Sequence, residues 1–99
     1  MDVAAAAALI RSALRRTDDT WADLGAGGGT FTRALASLLG HAGRVIAVER
    51  DASAVAALRA LARGADGGAD AAITVVQADF TRPLDLPALD GVLLANALH

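Results

Sequence analysis

The sequence predicts an α/β protein, a three-layer parallel sheet with strand order 3-2-1-4, and three observations predict it. Four short apolar runs, at 20–24, 44–49, 72–77 and 91–95, alternate with segments of helical apolar spacing or loop, the pattern of parallel strands joined by right-handed crossovers. The first run breaks into four glycines within five residues and restarts as a helix at Thr30. Polar residues then stand at the carboxyl ends of all four runs: Asp23, Glu49, Asp79 and Asn96. In an open α/β sheet those ends converge on one ligand crevice.

The elements follow in order. Asp2 is placed to cap a helix over 3–16, with Ala6, Leu9, Ile10, Ala13 and Leu14 spaced for one buried face. Thr17-Asp18-Asp19 ends it. The first strand, 20–24, is short and mostly apolar, as a strand covered on both faces should be. The helix over 30–39 lines up Phe31, Leu35, Leu38 and Leu39 on one side, and Gly40 stops it. The second strand, 44–49, ends abruptly in an acid. Asp51 caps a helix to about Arg63 with Val55, Leu58 and Ala62 inward, and Gly64 closes it. Asp66-Gly67-Gly68 is a turn. The third strand, 72–77, is β-branched in its middle. Residues 81–90 hold both prolines and read as loop, with one helical turn near 86–89. The fourth strand is 91–95. The last connection must pass two strands, which is three strand spacings or roughly 14 Å at about 4.8 Å per spacing, and ten extended residues reaching about 33 Å cover it easily. One domain results, an opening helix at 1–17 and an α/β core at 18–99.

The glycine stretch is where a ligand would lie. A strand that ends in glycines and turns directly into a helix exposes backbone N–H groups, with no side chains to block approach. Dinucleotide sites want G-x-G-x-x-G. Counting from Gly25 gives Gly25, Gly27 and then Thr30, so the third place fails. The spacing that fits is acid-x-Gly-x-Gly-x-Gly: Asp23, Gly25, Gly27, Gly29. Glu49, the only glutamate in the chain, lies 24 positions after Gly25, near the distance at which an acid meets a ribose. A carboxylate can accept from two vicinal hydroxyls at once.

The Asp23-to-Gly29 spacing resembles the first motif of the class I, Rossmann-like S-adenosylmethionine (SAM) dependent methyltransferases, and the likeness runs from about Thr20 to His99. It implies SAM as cofactor and transfer of its methyl group to an acceptor the sequence does not name. It implies a site in which Gly25, Ala26, Gly27, Gly29 and Thr30 lend the turn and Glu49 holds the ribose. Asp79 would accept from the adenine amino group, the N–H of Phe80 would meet the ring, and Arg50 or Phe80 would pack on its face. Asp23 suits the cationic methionine end of SAM, whereas it would repel the pyrophosphate of NAD. Asn96-Ala97-Leu98-His99 resembles the family's fourth motif, with Asn96 at the methionine end. It is not the Asn-Pro-Pro-aromatic form of the amino-methylating enzymes. No catalytic residue is identified, and His41 reads as a surface loop residue.

The family has a seven-stranded sheet, so the expected fold is truncated relative to it. Two expectations follow: the chain is a piece of a longer enzyme, or another copy completes the sheet, a homodimer through the apolar edge of the fourth strand. Two other functions stay open. One is a short-chain-dehydrogenase-like oxidoreductase using NAD(P), against which stand the glycine pattern and the absence of tyrosine and lysine. The other is a non-catalytic SAM-binding module.

Bulk properties exclude several classes. The net charge is −2 and all nine basic residues are arginines without a cluster beyond Arg15-Arg16, so the several phosphate contacts that nucleic-acid binding requires are not concentrated anywhere. Cysteine is absent, which removes disulfides and thiolate metal sites, and His41 and His99 are too far apart for a metal pair. The apolar run at 3–10 is far short of the roughly 20 residues a membrane span needs, and Asp2 before it does not fit a signal peptide. A cytoplasmic, soluble protein is expected.

Overall fold

The computed structural model describes residues 2–14, 16–65, 68 and 70–94. Four parallel strands, β1 (Thr20–Leu24), β2 (Arg44–Glu49), β3 (Ala72–Gln77) and β4 (Gly91–Leu93), form one sheet in the order β3-β2-β1-β4. Residues 20–24 of β1 pair with 44–48 of β2, which in turn pairs with 72–77 of β3. Trp21, Ala22 and Asp23 face Gly91, Val92 and Leu93 across β4. All four strands therefore point their carboxyl ends the same way, as the sequence predicts.

Side-chain alternation sorts the sheet into two faces. Trp21, Val45 and Ile73 pack with helices α1 (Val3–Ile10) and α2 (Thr30–Leu39) around the wholly buried Leu35 and Leu39. Ala47 and Val75 meet Leu58 of α3 (Ala52–Ala65) on the same side. The opposite face, built on Ala22, Ile46 and Val48, is covered by Phe80, Leu84, Leu86 and Leu89 of the connection 78–90. The three layers are thus helices, sheet and an extended strap. The strap carries no helical turn at 86–89. Pro83 and Pro87 withhold two N–H donors there, and regular helix needs them. Asp90 fastens its end: Thr20 N–H donates to the Asp90 carboxylate at 2.8 Å and Asp90 N–H to Thr20 O at 2.7 Å.

Other boundaries shift for local reasons. Asp2 caps α1, accepting from Ala5 N–H at 2.8 Å, but the α-helix ends at Ile10 and only a 3₁₀ turn, Arg11–Ala13, continues it. Of the stripe expected inward, Ala6 and Ile10 are buried and Leu14 half-buried, while Ala13 is exposed and Leu9 is 62% exposed. Past Ile10 the helix has almost nothing to lean on, and a short helix without packing is marginal. Conversely, α3 runs through Gly64 to Ala65. The fourth strand stops at Leu93. The expected turn at 66–68 and the expected end of the fourth strand at 95 fall at least partly outside the described residues.

Candidate functional site

The glycine turn between β1 and α2 is built from alternating left-handed residues: Gly25 (φ 71°), Gly27 (φ 56°) and Gly29 (φ 89°). A side chain is disfavoured in that region of backbone space. At Gly29 space is tight as well, since an added Cβ would lie 3.1 Å from the side-chain ends of both Leu58 and Leu61, which would have to give way slightly. The acid-x-Gly-x-Gly-x-Gly spacing is therefore a record of backbone shape. Gly29 also occupies the N-cap of α2, without a side-chain cap.

The turn does not present the open row of N–H groups expected from the sequence. Gly25 and Ala26 N–H both donate to Val48 O, at 2.8 and 3.0 Å, and Gly29 N–H donates to Ala26 O at 3.1 Å. Gly27 N–H donates to Glu49 Oε1 at 2.9 Å. The cause is the shortness of β1: the chain turns back over the tip of β2 and satisfies its donors there. The Ala26 methyl is buried against Ala47 and Leu58, so that residue offers only main chain to a ligand. Thr30 is half-buried in the first turn of α2.

Glu49 stands at the tip of β2 with both oxygens engaged. Oε1 takes Gly27 N–H, and Oε2 takes Asp51 N–H at 2.9 Å. Asp51 then caps α3, accepting from Ala54 N–H at 2.9 Å. Each carboxylate oxygen keeps a further lone pair for another donor.

Asp23 lies beneath the turn, wholly buried. Its Oδ2 accepts from Thr32 Oγ1 at 2.8 Å, while Oδ1 has no hydrogen-bond partner among the described residues. Burial pushes its carboxyl up to about 6, against a smaller opposing effect of the Thr32 hydrogen bond and with a further upward push from the Glu49 charge. Thr32, itself 0% exposed, is a site residue that the motif spacing does not reveal. Its signal is a hydroxyl on the inward side of an otherwise apolar helix face.

At the tip of β3, Asp79 Oδ1 accepts from Thr81 N–H at 2.9 Å and from the Thr81 hydroxyl at 2.6 Å. These bonds hold its carboxyl below the ordinary value, with smaller contributions from Arg50 and Arg82. Ala78 N–H donates to Glu49 O, and the Gln77 amide donates to Arg50 O at 3.4 Å. The tips of β1, β2 and β3 are thus stitched together. They bring Asp23, Gly25, Gly27, Gly29, Glu49, Arg50 and Asp79 to one end of the sheet. Phe80 is half-buried and packs, as part of the strap, against the cluster of Ala22, Ile46 and Val48 on the sheet. Asn96, expected at the fourth tip, lies outside the described residues, as does His99. His41 is exposed. Among the described residues no group of three or more histidines or acids could hold a metal.

The family model described as a methyltransferase domain matches residues 22–99, from the glycine turn through all the later strands. The chain belongs to this methyltransferase-domain family. A solved structure described as an rRNA-methylase from Clostridium thermocellum aligns with it at a TM-score of 0.63 and 23% identity, over 92% of this chain and 50% of that one. The shared feature is the fold, and the chain spans half the length of that structure. No curated protein sequence matches the chain. Within the methyltransferase domain, the glycine turn and the strand tips are the face on which the candidate residues meet.

Proposed function

We propose that this chain is the cofactor-binding part of a SAM-dependent methyltransferase, holding SAM over the glycine turn and the tips of β1–β3. The observation that carries the reading is the charge and donor balance at the turn. Two carboxylates, Asp23 and Glu49, meet there, and four turn N–H groups are already spent on the protein's own oxygens. A pyrophosphate wants free donors and positive potential. A ligand with an ammonium and a sulfonium wants acids. The arrangement favours the second.

In this reading SAM supplies an activated methyl group. The protein's part is to orient it, because alignment of nucleophile and methyl carries much of such a reaction. Glu49, fixed by two backbone donors, keeps its outward lone pairs for ribose hydroxyls. Asp79 and the Phe80 N–H would receive the adenine edge, and Arg50, exposed beside them, its face. Gly25, Ala26, Gly27, Gly29 and Thr30 shape the floor, and Asn96 would complete the methionine end. The acceptor is not assigned. A net charge of −2 without an arginine cluster does not favour nucleic acid, whatever the rRNA-methylase neighbour acts on. No described helix is long and apolar enough to cross a membrane, and we place the reaction in the cytoplasm.

Calorimetric titration with SAM, S-adenosylhomocysteine and NADP tests the reading. Saturable heat with the two adenosyl compounds and none with NADP is expected. Binding of NADP alone would overturn it in favour of an oxidoreductase.

A further inference from the structure

We propose that Asp23 and Thr32 make cofactor uptake proton-linked: in mildly acidic solution the empty protein keeps a proton on Asp23, and a cationic ligand over the glycine turn expels it to solvent. This rests on the SAM reading and goes beyond it, because it names a residue and a solution condition that govern the same site.

The geometry carries the inference. Asp23 is 0% exposed and, among the described residues, has one side-chain hydrogen bond, to Thr32 Oγ1, and no partner for Oδ1. An ionised carboxylate so placed lacks both water and sufficient donors. Asp23 is the only ionisable residue of β1. The turn 25–29 carries no charge. β2 brings Glu49 at the near end and Arg44 at the far end, opposite Thr20. β4 brings none. α2 brings Arg33, which is exposed along an outer groove shared with Ser37 and Asp70. Among the described residues Glu49 is the charge that acts on Asp23, and it opposes ionisation. No cation among the described residues is seen to balance the two acids, and the cationic end of the ligand would. Thr32 is a positioning residue: its hydroxyl supports the anion, which sets the pH at which the proton leaves.

The test is titration of the protein with SAM at pH 6.0 in cacodylate, MES and Bis-Tris, whose ionisation heats differ. The dependence of the observed heat on buffer counts protons. About half a proton released per SAM is expected at pH 6.0 from a carboxyl with a pKa of about 6, falling to under a tenth at pH 7.2. Affinity should be about tenfold weaker at pH 5 than at pH 7. Asp23→Asn should bind with no buffer dependence. Thr32→Val should release more protons at pH 7.2 than the parent, and Thr32→Ser should restore the parent count. Circular dichroism confirms that each variant is folded, and the parent titration stands alone if one is not. Saturable binding at pH 6.0 with buffer-independent heat overturns the proton link and leaves the cofactor reading intact. No binding of SAM at either pH overturns both.

Discussion

Asp23→Asn should change how the stability of the ligand-free protein depends on pH. In the folded chain the carboxyl ionises at about 6, against 3.8 when unperturbed. The folded state therefore binds the Asp23 proton more tightly than the unfolded state between those values. Its contribution is fully present below about pH 4 and is lost as pH rises through 6. Each pH unit of displacement is about 1.4 kcal/mol, so the wild type should lose about 2.4 kcal/mol from this one group between pH 4 and pH 7. Asp23 is wholly buried, so solvent does not screen the effect. Asparagine removes the ionisation and keeps an oxygen for Thr32. Urea unfolding of both proteins at pH 4.5, 5.5, 6.5 and 7.5 isolates the effect, because the other carboxylates cancel in the difference. Asp23→Asn should gain on the wild type across that range by about 2 kcal/mol or more, most steeply below pH 6.5. A difference that stays flat with pH would refute the reasoning.

Other perturbations address the turn and the sheet. Glu49→Ala should weaken SAM by about 1.5–3 kcal/mol, the scale of charged hydrogen bonds, and unchanged affinity in calorimetry would remove the ribose assignment. Gly29→Ala, which meets both a positive φ and two leucine methyls, should cost about 1–2 kcal/mol. Gly28→Ala, with nothing within 4 Å of the new methyl, should stay within about 0.5 kcal/mol of the parent; equal melting of the two variants would contradict the shape of the turn. Gly91→Ala would push a methyl into the Trp21 indole packed over it and should cost about 1–3 kcal/mol in chemical denaturation.

Much of the fold was legible because its signals are local. The boundaries of β1, α2, β2 and β3 match their sequence expectation to the residue, each set by a run of apolar residues ended by an acid, a glycine or a turn. The parallel sheet followed from the alternation of strands and right-handed crossovers, and its expected order is the one observed. What escaped were features decided by packing partners distant in sequence. Leu9 has the right spacing to be buried, yet no element among the described residues covers it. Gly64 has the chemistry of a helix stop, yet α3 passes through it. At the site, the glycine spacing predicted the turn, and the acids predicted its charge. The spent N–H groups could not be read, because they depend on how far β1 reaches beside Val48 and Glu49. Thr32 was hidden because a threonine in a helix has many roles, and only its nearness to a buried acid selects one.

Glu49 ties the glycine turn to the start of α3 through two main-chain donors. At position 51 any residue but proline would supply that donor, and the Asp51 side chain is occupied separately in capping the helix. The clamp is thus written almost entirely into a single codon. A lineage that altered residue 49 to suit a different sugar would loosen the turn and the helix start in the same step. Change of ligand and repair of architecture would have to arrive together.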